Sequence, residues 1–222
     1  MEEKAQTGHP LAELIASAAD GQFVPVDGDW QRVPPWRPHL EAIVAFTGHA
    51  VLALAPHTSD DLLVTLGGDG FGGAHDPRLI AALAGTDGWI DSLDVLLAGR
   101  GTGSPSAIPR LVHRPDLAEH PRAKFAAGVR DNLKILGYQD RDRSALAILS
   151  RGLAGLCELS FELEPEHRGG GGAALVKDAM STVPSHQLVV TAVAPGNAAS
   201  LRALLSAGFT PLGSVQLFRR NG

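Results

Sequence analysis

The residues best suited to chemistry lie between Cys157 and Met180, where an arginine precedes four consecutive glycines. Arg168 carries planar N–H donors that suit phosphate oxygens. Glycines at Gly169–Gly172 let an anion approach the backbone without meeting a Cβ atom. The apolar spacing from Ala173 onward is typical of a helix, and the first-turn N–H groups of a helix attract anions. The pattern predicts a loop that binds a pyrophosphate group.

The residues before this loop predict a strand with one apolar face. Leu159, Phe161 and Leu163 alternate with polar residues, and Pro165 ends the ladder because it has no N–H to donate. Glu158 and Glu162 lie four residues apart and therefore share the polar face. A carboxylate there could act as a general base. The same pattern is also typical of a solvated strand face.

The glycine run has three other interpretations. A P-loop needs Lys-Ser or Lys-Thr after the last glycine, but Ala173-Ala174 stands there. A dinucleotide fold needs G-x-G-x-x-G with an acidic residue about twenty residues on. Gly169 and Gly171 fit a relaxed form of that motif, but Val193-Ala194 occupies the place of the acid. The third interpretation is a tight turn.

Two linked motifs resemble the GCN5-related N-acetyltransferases, the GNAT superfamily. The R/Q-x-x-G-x-G/A signature is supplied by Arg168, Gly171 and Ala173. The later segment L-V-V-T-A-V-A-P-G-N-A-A-S-L-R-A-L-L-S-A-G-F looks like the family's next strand and helix. Its N-x-x-A/S and G-F positions are filled by Asn197, Ser200, Gly208 and Phe209. Together the motifs cover about the last third of the chain.

The resemblance implies an α/β fold with a central twisted mixed sheet flanked by helices on both faces, and acetyl-CoA as cosubstrate. Backbone groups of Phe161 and Leu163 would bind the pantetheine arm, and Asn197 with Ser200 would approach the cofactor. The pyrophosphate would be held by Arg168 and by the N–H groups of Gly169, Gly170, Gly171, Gly172 and Ala173.

The implied reaction is direct acetyl transfer to a primary amine of a small molecule or peptide, with Glu158 as the base and Glu162 as its alternative. One position departs from the family: Leu204 stands where many members carry a tyrosine acid, and the only tyrosine is Tyr138. A second hypothesis is therefore an acyl-CoA-binding module with weak catalysis. A third is a nucleotide-binding domain unrelated to acyl transfer.

Composition narrows the class of protein. A net charge of −5 disfavours sequence-independent nucleic-acid binding, and no apolar run approaches the length of a membrane span. The single cysteine and the acidic amino terminus favour a cytoplasmic protein without a secretory signal. The histidines match no known zinc spacing, so no metal is expected. A homodimer is compatible with the sequence.

The predicted domains are residues 1–104, a divergent half that shapes the acceptor site, and residues 105–222, the acyl-CoA-binding core. A hinge is predicted at Gly99–Pro109, which is rich in glycine and proline. The longest helix is predicted at Pro121–Leu136 from its apolar stripe. A hairpin is predicted from Ala145 to Leu163, and a β-α-β-α-β order follows it. Asn197 is predicted to cap the second helix of that order.

Overall fold

The computed structural model describes residues 8–103, 110–164 and 170–220. They form two compact units, one of residues 1–92 with 213–222 and the other of residues 93–212. None of the helices in the described ranges is both long enough and apolar enough to cross a membrane.

The first unit is a sheet of antiparallel neighbours with one parallel edge strand. Its helices are α1 (Pro10–Ala19), α2 (Asp60–Thr65) and α3 (Pro77–Ala84), and its strands are β1 (Trp30–Val33), β2 (Glu41–Phe46), β3 (His49–Ala53), β4 (Trp89–Ile90) and the end of β11 (Thr210–Arg219). Strand β1 runs parallel to β3, β2 pairs antiparallel with β3 and β11, and β4 pairs with β11. Helices α2 and α3 pack on a core that includes Ile43, Leu52 and Phe218.

The second unit contains a mixed sheet. Its strands are β5 (Asp94–Arg100), β6 (Leu111–His113), β7 (Asp131–Tyr138), β8 (Leu146–Arg151), β9 (Cys157–Glu162) and β10 (Leu188–Val193), and its helices are α4 (Pro121–Val129), α5 (Gly172–Ser181) and α6 (Ala198–Ser206). The strand order is β5-β10-β9-β8-β7-β6. Strands β9 and β10 are parallel, and the other neighbours in this order are antiparallel.

Strand alternation places helices on both faces of this sheet. On one face, Leu149 and Leu159 belong to a buried cluster with Leu175 of α5 and Leu204 of α6. On the other face, Leu146 and Ile148 form a smaller cluster with residues of α4. The predicted mixed sheet flanked by helices is confirmed.

The helix predicted over Pro121–Leu136 is wrong in its second half. Helix α4 ends at Val129, Arg130 is extended, and β7 begins at Asp131. The apolar residues that suggested a continued stripe instead serve the two faces of a strand, with Leu133 beside α4 and Leu136 beside α5. Pairing with β8 therefore overrides the local helical pattern.

The division between the units lies before the boundary predicted at residue 104. Strand β5 includes Gly99 and Arg100 of the predicted hinge, and it pairs along its length with β10 of the second unit. Residues 104–109 of that hinge lie outside the described residues. The last ten residues belong with the first unit because β11 pairs with β2.

Two buried charged groups organise the loop between β7 and β8. The Arg114 guanidinium, 3% exposed as a residue, donates to the carbonyls of Tyr138, Asp140 and Arg143. Glu164 accepts from the Ala145 N–H at 2.8 Å and from Arg143 Nε at 3.4 Å. The loop is therefore tied to the segment just after β9, five residues before the glycine run in the sequence.

The stability of this loop should depend on pH through Glu164. Burial alone raises the pKa of this carboxyl, but the Ala145 N–H and the Arg143 guanidinium outweigh burial, so the pKa lies below its ordinary value of 4.5. A depressed pKa contributes stability that is present above the ordinary value and lost as the pH falls through the folded value. Urea unfolding should show wild type more stable than Glu164→Gln at neutral pH, with the gap closing in acid. A gap that stays constant with pH would contradict this assignment.

Candidate functional site

The two parallel strands at the centre of the second unit separate part-way along their length. Strands β9 and β10 pair at Cys157–Val189 and Glu158–Val190. Strand β9 then continues, paired with β8, as far as Glu162 opposite Leu146. In the described residues, the β10 side of β9 is thus open beyond Glu158.

The backbone of Phe161 faces this opening. In the β8–β9 hairpin the Gly152 N–H donates to the Leu156 carbonyl. Hydrogen-bonded and non-hydrogen-bonded pairs alternate in an antiparallel ladder, so residues 158, 160 and 162 direct their backbone groups toward β8. The N–H and C=O of Phe161 consequently point toward β10, where a ligand could pair with them.

Helix α5 begins at the last glycine of the run, Gly172, and no side chain in the described part of the chain caps it. The other five α-helices there each have an N-cap side chain that accepts a backbone hydrogen bond, from His9, Ser59, Asp76, His120 and Asn197. The Leu175 N–H donates to the Gly171 carbonyl at 3.0 Å. Helix geometry leaves the N–H groups of Gly172, Ala173 and Ala174 without intrahelical acceptors. These donors fit an anionic group.

The glycines of the run differ in what their missing Cβ allows. A Cβ at Gly172 would lie 2.9 Å from the Ala203 Cβ, so this glycine is needed for the packing of α5 against α6. Gly170 is exposed, and a Cβ there would meet nothing within 4 Å. Arg168 and Gly169, both predicted to bind pyrophosphate, lie outside the described residues.

Asn197 and Ser200 start the second helix of the site. The Asn197 Oδ1 accepts from the Ser200 N–H at 3.1 Å, which caps α6 as the sequence predicts. Helices α5 and α6 follow parallel neighbouring strands, so both begin at the same edge of the sheet. The contribution of these two residues to cofactor binding stays a prediction, as does that of the Leu163 backbone.

The two candidate bases share a face, as predicted, but both are paired with arginines of the α4 segment. Arg130 Nη2 lies 2.6 Å from Glu158 Oε1, and Arg122 Nε lies 2.9 Å from Glu162 Oε2. The arginines are eight residues apart and the glutamates four. Eight helical residues rise about 12 Å and four strand residues about 13 Å, so the two spacings match.

The two pairs differ in their access to water. Both side chains of the Arg130–Glu158 pair are only 10% exposed, and the second carboxylate oxygen of Glu158 accepts from the Leu153 N–H at 2.8 Å. The Arg122 and Glu162 side chains are 38% and 33% exposed. Geometry thus favours Glu162 over Glu158 as the carboxylate that meets a substrate, and the role of either residue as base stays a prediction.

No local pattern in the sequence singles out Arg130. For Arg122, with Arg110, Arg114, His113 and His120, the sequence is compatible with an acceptor-pocket lining, a contact to the cofactor's ribose phosphate or an ordinary surface position. Their partners are distant in the chain, at a separation of 40 residues for Arg122 and Glu162. The only local signal is the eight-residue arginine spacing beside a four-residue glutamate spacing, which becomes meaningful once α4 is known to lie along this face.

The other side chains considered for catalysis or metal binding lie in surroundings that do not favour such a role. Leu204 is 1% exposed within the core, so its position offers no acid. Tyr138 is on β7, separated from β9 by β8; the Arg143 guanidinium stacks over its ring at 4.0 Å, and burial raises the pKa of its hydroxyl. Burial also raises the pKa of the Cys157 thiol. The described residues contain no group of three or more side chains arranged to hold a metal ion.

Replacing Glu158 by alanine should destabilise the fold. The change leaves the Arg130 guanidinium buried without its partner, which costs about 3–5 kcal/mol for a buried pair. The matched control is Glu119→Ala, which removes the exposed partner of Lys124 and should cost no more than about 0.5 kcal/mol. Urea unfolding measures both. Equal stability of the two variants would show that the Arg130–Glu158 pair does not contribute the expected stability to the fold.

Comparisons with known proteins gave structural matches only. No family model and no curated protein matches the chain. A solved structure from Novosphingobium aromaticivorans, assigned to the GNAT acetyltransferase family, matches at 19% identity and a TM-score of 0.40, over 61% of this chain and 68% of that one. A GNAT-family acetyltransferase from Colwellia psychrerythraea matches at 13% identity and a TM-score of 0.36, over 65% of this chain and 60% of that one.

A third solved structure, a GCN5-related N-acetyltransferase from Kribbella flavida, matches at 15% identity and a TM-score of 0.38, over 65% of this chain and 63% of that one. The match therefore spans less than two thirds of the length of the Colwellia and Kribbella proteins. By their printed names, the three solved structures to which this chain is similar are GNAT-family acetyltransferases.

Proposed function

We propose that this protein is an acetyl-CoA-dependent N-acyltransferase of the GNAT type. The observation that carries the proposal is the opening between β9 and β10 beside the uncapped first turn of α5. An opening lined by the backbone of Phe161 suits an amide-bearing arm, and an uncapped helix start suits a diphosphate. Coenzyme A joins such an arm to a diphosphate. The motif that resembles the family falls on the same strand, loop and helix.

Each part of the site has a task in this proposal. Acetyl-CoA supplies the thioester. The N–H groups of Gly172, Ala173 and Ala174 hold its diphosphate, together with Arg168 and the preceding glycines. The Phe161 backbone pairs with the pantetheine amide and aligns the acyl group beside β10. N–H donors on the open strand are suited to stabilising the oxyanion that forms when an amine attacks.

The acceptor in this proposal is a primary amine of a small molecule or peptide. The amine must lose its proton before it attacks, so a carboxylate or a relayed water must stand nearby. Glu162 is the last residue of β9, and its side chain is the more accessible to solvent of the two glutamates. A thiol of ordinary pKa can leave without a positioned acid, which allows turnover with Leu204 in the core.

A second candidate function is an acyl-CoA-binding module without efficient turnover. It is favoured by the burial of Leu204 and by the ion pairs that hold both glutamates. The two functions differ in whether thiol is released. A thiol-release assay with acetyl-CoA and a panel of primary amines separates them, since the module would bind acetyl-CoA and release no thiol with any amine.

The diphosphate site is tested by Gly171→Val. Gly171 has φ −76° and ψ −15°, a conformation open to any residue, so the variant should fold. The new side chain would stand beside the first-turn donors and should weaken acetyl-CoA binding by about tenfold or more, equivalent to about 1.4 kcal/mol.

The matched control is Gly128→Val, at an exposed position of α4 on the other face of the sheet, where a Cβ would meet nothing within 4 Å. Calorimetric titration with acetyl-CoA measures both variants and wild type. Wild-type affinity in Gly171→Val would count against the proposed function.

A further inference from the structure

The Arg122–Glu162 ion pair lies at the place where an acceptor would have to arrive. Glu162 ends β9, beyond the last pair with β10 at Glu158. Paired residues on neighbouring strands share a face, so Glu162 lies on the face of Leu146, which packs beside α4. Helix α5 lies on the other face. The nucleophile and the diphosphate would therefore reach the open part of β9 from opposite faces.

The geometry and exposure of the Arg122–Glu162 pair would let another cation replace the guanidinium at Glu162. Arg122 contacts Glu162 through Nε at 2.9 Å, and both side chains are about one third exposed. Exposed pairs of this kind contribute little to stability, about 0.2–1 kcal/mol. The neighbouring Arg130–Glu158 pair is nearly buried and fixed by the Leu153 N–H, so it stays in place.

We propose that Arg122 is a specificity residue that occupies the acceptor's cation site. In this proposal, which rests on the proposed function, the ammonium group of the acceptor displaces the Arg122 guanidinium from Glu162. Glu162 stays paired throughout the exchange, so no buried charge is left alone. The substrate class is a cationic amine that has contacts beyond its ammonium group.

Arg122 discriminates among acceptor amines because it is covalently held on α4, close to Glu162. A guanidinium fixed on α4 competes with a free ammonium group at an effective concentration in the millimolar range or above. A simple monoamine with no other contacts competes poorly. An amine with a second charge or a recognised body overcomes the tethered cation. Arg122 thus weakens the binding of every cationic acceptor at Glu162 by competition, and it does not change the binding of uncharged molecules.

The test compares Arg122→Gln with Lys124→Gln in the full-length chain. Each variant removes one positive charge from α4, but Lys124 pairs with the exposed Glu119 at 2.8 Å, whereas Arg122 pairs with Glu162 of β9. The probe is 1,4-diaminobutane, with 1,4-butanediol as its uncharged analogue of similar length. Calorimetric titrations are run with and without saturating acetyl-CoA. Arg122→Gln should bind the diamine about 1.5- to fivefold more tightly than wild type, the range expected for removing one exposed pair.

Three further results complete the expectation. Lys124→Gln should bind the diamine like wild type, butanediol should show no change in either variant, and Arg122→Gln/Glu162→Gln should lose the gain. Equal diamine affinity in Arg122→Gln and wild type would overturn the proposal. So would an equal gain in Lys124→Gln, a gain that survives in the double variant, or no diamine binding at all. If the diamine results hold but wild type fails to bind acetyl-CoA, the proposed function fails and the cation exchange at Glu162 stands.

Discussion

The second unit depends on a parallel strand pair that is hydrogen-bonded at one end and open at the other. Strands β9 and β10 pair at Glu158–Val190 and then separate. Each strand is followed by a helix that begins at the same edge, and the two helices approach so closely that Gly172 has no room for a Cβ beside Ala203. The close packing fixes the first turn of α5 next to the opening, and the chemistry of the site follows from that position.

The opposite face is governed by charge. Helix α4 crosses β7 and β8 through a small apolar cluster, and its arginines reach across to the glutamates of β9. Matching spacings let one helix satisfy two carboxylates, but with different burial. The nearly buried Arg130–Glu158 pair holds α4 against β9, while the Arg122–Glu162 pair is partly exposed to solvent. The sheet thus separates the uncapped first turn of α5 from the paired carboxylates of β9. In the proposed function, the first side binds the diphosphate and the second side receives the amine.

Local signals made much of the fold predictable. Strand β9, helix α5 and the start of α6 are each predicted by a pattern of a few neighbouring residues: the alternation in β9, the apolar spacing of α5 and the Asn197 cap. The structure contains all three. The end of α4 was missed because β7 buries both faces and so imitates a helical stripe. The partners of Glu158 and Glu162 were missed because ion pairs across 28 and 40 residues leave no local pattern. For the same reason the sequence did not show that packing against Ala203 also requires a glycine at position 172.

The central claim is that the first-turn amides of α5 bind the diphosphate of coenzyme A. The most direct measurement is the backbone amide chemical shift of each residue in an isotope-labelled sample during titration with coenzyme A. The account predicts that the largest changes fall on Gly172, Ala173 and Ala174, with a second group at Phe161. Saturating coenzyme A that leaves these amides unmoved, or moves only amides of the first unit, would contradict it.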